Sequence, residues 1–397
     1  MARVLCAWEF GGDLGHVRRL VPIARELRSM GHEVTLAFRD SSFIDGARAE
    51  GFQTFIVPLH RGPKEMNPSP LNFSDILMTL GYADVRSMAG VLRAWRSMLE
   101  MLAPQVVVAD YAPTALIAAS FASIPAVTIG TGFSVPPPGD PIPELRPWAR
   151  TDPNVLRALD DRVLGTVRRA AGKFAERVPA RIHDLFQARS HLLCTFPEID
   201  PFGPREGVEY VGPQGDATTG EELRWSDASR PRVFAYLKPR SARFDATLAG
   251  LASTDAEVIV AAPGLDAAKA RAACTASMRV VPSAVNLDLL LPEASLCVTH
   301  AGPGVAARAM VAGIPMALLP LQLEQFLIGK RIEKTGAGVV SSPEEAQPDF
   351  PAWFASILAN PGHREAARRL AERYRGHDFA RATRRAAERI CEVVQAG

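Results

Sequence analysis

Residues 3–38, RVLCAWEFGGDLGHVRRLVPIARELRSMGHEVTLAF, decide the fold. The run Arg3-Val-Leu-Cys-Ala-Trp8 is short and apolar. A glycine-rich turn follows it, and Leu20, Ile23, Ala24 and Leu27 then recur at helical spacing up to Gly31. Glu33-Val-Thr-Leu-Ala-Phe38 is apolar again. Strand, turn, helix and strand within about 36 residues make a βαβ unit, and such units build parallel sheets.

The pattern continues outward from this unit. Phe55-Ile-Val57, Val106-Val-Val-Ala109 and Ala126-Val-Thr-Ile129 read as further buried strands. Residues 136–153 are proline-rich and predict a loop, and residues 155–189 predict a basic amphipathic helical region. From Val211 to Pro231 there is no periodicity. The α/β alternation then restarts with Val233–Leu237, Glu257–Ala261, Met278–Val281, Leu296–Thr299 and Pro315–Leu319, separated by Ala-rich helices. The organisation expected is therefore a first domain over 1–212, a linker over 213–231 and a second domain over 232–374. An Arg- and Ala-rich helical run covers His363–Val394.

Length and composition agree with two α/β domains: 397 residues, 47% hydrophobic and 22% charged. Forty-five Lys and Arg against 43 Asp and Glu give a formal charge of +2. No strong field draws such a chain to nucleic acid or to an anionic membrane, so a neutral small molecule is the partner expected. Cys6, Cys194, Cys274, Cys297 and Cys391 are scattered, without a C-x-x-C spacing or a His cluster, and read as reduced thiols of a cytoplasmic protein that uses no metal. The N-terminus lacks the apolar h-region of a signal peptide, and no run reaches the ~18 apolar residues of a membrane span.

Two glycine turns stand out. Gly11-Gly-Asp-Leu-Gly-His16 lies between the first strand and first helix, the carboxyl edge at which open parallel sheets place ligands. Asp110 ends another strand at the same edge. A neutral His beside a carboxylate is a general base, because the carboxylate sets the tautomer and stabilises the imidazolium. By itself the turn is equally a structural β-to-α connection, and Asp110 equally a helix N-cap ahead of Pro113. In the second half, His300-Ala-Gly302-Pro-Gly304 follows a strand and opens the Ala-rich helix Val305–Ala312. Free N–H groups at a helix N-terminus suit a diphosphate, and His300 is placed to donate to it. Glu324 and Gln325 follow the exit of the Pro315–Pro320 strand.

Several of these motifs together are recognisable. Val285-Asn-Leu-Asp-Leu-Leu-Leu-Pro292, His300–Gly304, Gly313-Ile-Pro315, Pro320-Leu-Gln-Leu-Glu324-Gln325 and Gly336-Ala-Gly338 resemble the donor domain of the UDP-glycosyltransferase-like superfamily. Gly15-His16 with Arg25–Val34 is similar to the start of its first domain. The resemblance covers nearly the whole chain in order. It implies the GT-B architecture, two Rossmann-like domains facing across a cleft, with acceptor in the first and nucleotide sugar in the second. A C-terminal helix, 375–397, would pack back on the first domain. His16 matches the family's base and Asp110 its acidic partner. His300, Gly302 and Gly304 match the diphosphate turn, Val285 the backbone contact to the base, and Glu324 and Gln325 the pair that binds sugar hydroxyls. The reaction implied is an inverting, metal-independent transfer from a nucleoside-diphosphate sugar to a hydroxyl, with no further cofactor.

Three positions depart from the family pattern. Arg308 stands where many members carry a ribose-binding Glu, which turns attention to thymidine-diphosphate deoxysugars such as dTDP-rhamnose. Alternatively Arg308 faces solvent or pairs with a phosphate. Lys238-Pro239 replaces a Gly-Ser turn and either offsets phosphate charge or is a surface lysine. Ala301 and Val305 replace Gly and Ser or Thr. For the acceptor, the loop Arg61–Ser74 with Met66 and Phe73, the helix near Met78–Trp95, and the loop Thr131–Pro138 with Phe133 are the expected pocket, which suggests an apolar aglycone. Competing readings are a sugar-nucleotide epimerase, for which no carboxylate set beyond Glu324 is present, a membrane-associated lipid-sugar transferase using the basic region Arg157–Arg181, and a scaffold or nucleotide-sugar-binding protein that kept only the fold.

Overall fold

The computed structural model describes residues 1–12, 14–60, 67, 69–215, 220–342 and 344–396. The chain forms two compact units. One comprises Met1–Thr195, Pro204–Gln214 and Arg381–Gly397, and the other Phe196–Gly203 and Gly215–Ala380.

The first unit is built on seven parallel strands: β1 (Arg3–Trp8), β2 (Glu33–Phe38), β3 (Gln53–Ile56), β4 (Val106–Asp110), β5 (Ala126–Gly130), β6 (Ser190–Leu193) and β7 (Glu209–Tyr210). Their spatial order is β3-β2-β1-β4-β5-β6-β7. The chain winds outward from β1 to β3 and returns to β4 on the other side of β1, so a topological switch point lies between β1 and β4. Register then sets the site. Val4 pairs with Val106 and Trp8 with Asp110, so the two strands end level. The helix Val17–Ser29 buries Leu20, Ile23, Ala24 and Leu27, as its periodicity requires. The C-terminal helix Phe379–Ala396 buries Ala386, Ala387 and Ile390 in the same core as Val4 and Leu36, and Arg385 and Arg389 pair with Glu209 at 2.9 and 2.6 Å.

The second unit repeats the plan with six strands: β8 (Arg232–Tyr236), β9 (Glu257–Ala261), β10 (Met278–Val281), β11 (Leu296–Thr299), β12 (Met316–Leu318) and β13 (Gly338–Val340). The order β10-β9-β8-β11-β12-β13 puts its switch point between β8 and β11.

Several expectations need correction. Strands β6, β7 and β13 escape a reading of apolar runs: β6 opens on Ser190-His191, β7 is only Glu209-Tyr210, and β13 is only Gly338–Val340. The helical run His363–Val394 is two helices, Pro361–Arg373 and Phe379–Ala396, separated where Gly376 takes φ 79°. Asp110 is the last residue of β4 and caps no helix; Pro113–Phe121 has Ala112 at its N-cap. The segment 213–231 is packed over much of its length. Glu221 bridges to Val285, Trp225 Nε1 donates to the Leu290 carbonyl at 3.0 Å, and the Ser226 and Asp227 amides donate to Glu257. Among the described residues, no helix is long and apolar enough to cross a membrane.

Candidate active site

At the first switch point, His16 Nδ1 lies 3.0 Å from Asp110 Oδ1. Asp110 is wholly buried, and its other oxygen accepts from Arg19 Nη1 at 2.7 Å. Burial pushes the carboxyl up, but Arg19 and His16 outweigh it and hold Asp110 below the usual carboxylate range. An ionised carboxylate only accepts, so the His16 proton sits on Nδ1 and the lone pair on Nε2. The ring stacks on Trp8 with centroids 5.0 Å apart and planes 16° from parallel. Nε2 is turned toward Gly11. A Cβ there would come within 2.7 Å of it, and Gly11 has φ 81°. This glycine therefore serves both the turn and the space at Nε2.

Tyr111 follows Asp110 with φ 49°, a left-handed conformation that is uncommon for a bulky residue. Its carbonyl accepts from Phe10 N–H at 2.9 Å, and its ring lies 6.4 Å from His16. Phe73 and Phe133 pack on Tyr111 at 6.2 and 6.3 Å. Thr131 is buried nearby in sequence; Met66 lies outside the described residues. Phe73, Tyr111, Ser134, Val135, Phe186 and His191 line a pocket of about 20 Å³, room for about one water. A larger guest needs side chains to move. Burial pushes His191 down to about 4, so this lining carries a neutral imidazole.

A second buried carboxyl, Glu9, lies one residue past β1. Its Oε2 accepts from the Thr114 amide at 2.9 Å, at the start of the helix Pro113–Phe121. Burial pushes it up to about 8, with the Thr114 and Ala115 hydrogen bonds and Arg39 opposing.

At the second switch point, His300 is buried and both ring nitrogens are used. The Lys238 amide donates to Nε2 at 2.9 Å, and Nδ1 lies 2.7 Å from the Leu319 carbonyl. A backbone N–H can only donate and a carbonyl only accept, which makes His300 the Nδ1–H tautomer. Burial holds its pKa below the ordinary value, Lys238 and Arg240 adding to this against the Leu319 hydrogen bond. His300 thus fastens the turn after β8 to the end of β12. The expectation that it donates to a phosphate does not match this geometry, because no ring N–H is left over.

Gly302 is the N-cap of the helix Pro303–Ala312, and a Cβ at Gly302 or Gly304 would meet nothing within 4 Å. Packing within the chain therefore does not demand glycine at either position. Ala301 adopts φ 58°, the conformation for which glycine is better suited. Val285 is buried, and its bridge to Glu221 uses the Glu221 and Asn286 amides, leaving Val285's own N–H and C=O out of it. Arg308 Nη1 pairs with Asp288 at 2.6 Å, with its guanidinium 4.2 Å from the Phe379 ring centre. Its side chain is only 11% exposed, which corrects the solvent-facing alternative. Gln325 is buried and its Oε1 accepts from the Leu321 amide at 2.8 Å, while Glu324 sits half-buried in the first turn of Leu323–Thr335.

Residues 245–378 match the family described as erythromycin biosynthesis protein CIII-like, C-terminal domain. The chain is 26% identical to the PGL/p-HBAD biosynthesis rhamnosyltransferase of Mycobacterium bovis (strain BCG / Pasteur 1173P2) over 335 residues, 77% of this chain and 72% of that one. It is also 26% identical to the 4'-demethylrebeccamycin synthase of Lentzea aerocolonigenes, over 95% of this chain and 96% of that one. In structure it is similar to spinosyn rhamnosyltransferase SpnG, with a TM-score of 0.66 at 19% identity over 98% of this chain and 100% of that chain. SpnG has also been solved complexed with thymidine diphosphate. The chain is a glycosyltransferase, similar to members of the UDP-glycosyltransferase-like superfamily.

Its fold is GT-B. In this glycosyltransferase His16 is brought to Asp110, and Phe73 and Phe133 converge on one tyrosine. His300 is brought to the Lys238 backbone. Sequence reasoning missed Arg19, Tyr111, Trp8 and Arg240. Arg19 had a usable signal, since it lies three residues after His16 on the same helix face. Tyr111 had none, because its role rests on a backbone conformation.

Proposed function

We propose that this glycosyltransferase moves a sugar from a nucleoside diphosphate to a hydroxyl of a small apolar acceptor, with inversion at the anomeric carbon. The observation that carries this reading is the 3.0 Å contact of His16 Nδ1 with a buried, ionised Asp110. Nε2 takes the acceptor's hydroxyl proton as the oxygen attacks the anomeric carbon. The carbon–oxygen bond to the diphosphate breaks, its electron pair leaves on the phosphate oxygen, and Asp110 stabilises the imidazolium.

The first unit supplies the base and the acceptor site. Phe73, Tyr111 and Phe133 offer aromatic faces beside the base, which supports an apolar, ring-containing acceptor. The second unit supplies the donor site. The helix start at Gly302 and Gly304 leaves room for the diphosphate, Lys238 and Arg240 offset its charge, Val285 reads the base, and Glu324 and Gln325 hold sugar hydroxyls. No step in this scheme uses a metal or a further cofactor. A thymidine-diphosphate donor is favoured by Arg308, which stands in place of a ribose-binding Glu, and by the thymidine diphosphate bound to SpnG.

A thermal-shift panel with UDP, dTDP, GDP and ADP tests the reading, since a ligand of the folded state alone raises its stability. Stabilisation led by dTDP is expected. A flat response to all four shifts the reading to a protein that kept the fold without the donor site.

A further inference from the structure

Arg19 lies one helical turn after His16, 11% exposed at its side chain, and its Nη1 is 2.7 Å from the Asp110 oxygen that His16 does not use. The buried carboxylate is thus gripped from both sides, by an imidazole on Oδ1 and a permanent cation on Oδ2. A carboxylate beside a histidine favours the imidazolium; a guanidinium on the same carboxylate opposes it. Trp8 covers the imidazole, and Tyr111 follows Asp110. The thiols of Cys6 on β1 and Cys194 after β6, which feel the Asp110 charge, are pushed up to about 12 by burial first and so stay uncharged at neutral pH.

We propose that Arg19 is a positioning residue of the base: its cation holds Asp110 Oδ2 and opposes the pull of the carboxylate on the His16 proton, while Asp110 Oδ1 orients the ring at Nδ1. Asp110 alone would orient the ring equally well but would also hold the proton on it. The added cation separates these two effects. In this scheme Arg19 acts through Asp110. The inference rests on His16 as the base only for its consequence in turnover; the electrostatic claim stands on the three side chains.

The test is NMR titration of ¹³C-labelled histidine rings in the full chain, with the His16 signal assigned by its loss in His16→Gln. In Arg19→Gln and Arg19→Met the His16 ring should keep its proton to higher pH than in the parent, by about one pH unit or more. Arg19→Lys, which keeps the charge, should restore most of the parent behaviour. An unchanged His16 titration in folded Arg19→Gln overturns the proposal, and so does a titration in Arg19→Lys as displaced as that of Arg19→Gln. Should Arg19→Met fail to fold, the Gln and Lys pair still decides, because both retain a donor to Asp110. Failure of the functional reading looks different: His16→Ala would then keep its turnover while the titration results stood.

Discussion

The two units carry the same device, a histidine at the switch point of a parallel sheet next to a glycine turn, and use it in opposite ways. His16 gives one nitrogen to Asp110 and keeps the other turned toward an unobstructed glycine. His300 gives both nitrogens to backbone groups and is buried. The first arrangement leaves a basic lone pair available, which is what proton transfer needs. The second consumes it, which makes His300 a strut that shapes the turn carrying Lys238. Burial separates the two, because a buried imidazole is more stable when both nitrogens find partners within the protein.

The most direct way to break this comparison is to delete each ring. His16→Ala should lower turnover ~10²- to 10⁴-fold while nucleotide binding, read by thermal shift, stays close to the parent. Unchanged turnover would remove His16 from the mechanism. His300→Ala should act first on the fold. It leaves the Lys238 amide and the Leu319 carbonyl without their partner, lowering the unfolding free energy by about 2–4 kcal/mol and weakening nucleotide stabilisation with it. Parent-like denaturant unfolding of that variant would show that His300 is no strut.

The glycines sharpen the contrast. Gly11→Ala places a methyl group against His16 Nε2 and an L-residue at φ 81°. It should lower stability by about 1 kcal/mol and turnover by roughly 10- to 100-fold, through displacement of the ring. Gly302→Ala meets no neighbour within 4 Å, so it should unfold like the parent and lose only part of its stabilisation by nucleotide. Equal unfolding losses in the two variants would contradict the difference drawn between the turns.

The smallest effect concerns the two buried carboxyls next to the strand ends. Asp110 is held below the ordinary range, so its stabilisation is complete above the unfolded-state pKa and is lost as pH falls through the folded one. Glu9 is the reverse, pushed up to about 8. Between the ordinary carboxyl range and about 8 the folded state binds a proton that the unfolded state has released, and stability falls as pH rises. Glu9→Gln should therefore gain on the parent between pH 5 and pH 8, on the order of 1 kcal/mol or more. A gain that is the same at both pH values would mean Glu9 is ionised in the fold.

Much of the architecture was legible beforehand. Arg3–Trp8, Glu33–Phe38, Glu257–Ala261, Met278–Val281 and Leu296–Thr299 announce themselves as apolar runs bounded by turns, because a strand covered on both faces is apolar at every position. Of the strands that escaped, β6 is half polar, β7 has only the two residues Glu209 and Tyr210, and β13 opens on Gly338. Within the candidate site, His16, Asp110 and Phe73 were readable by type and place. Arg19 was readable only as a neighbour of His16 on its helix, not as a partner of Asp110, 91 positions away, and Tyr111 was not readable, because it matters through its backbone angle.

What the chain determined by itself is the periodicity, and with it two doubly wound sheets with glycine turns at their carboxyl edges. That follows from local preference and burial, which composition and spacing encode directly. What only the tertiary structure decided is the state of each ionisable group: which nitrogen of His16 carries the proton, why His300 has none to offer, and why Arg308 pairs with Asp288. These depend on distances between residues far apart in sequence and on the burial that turns such distances into energy.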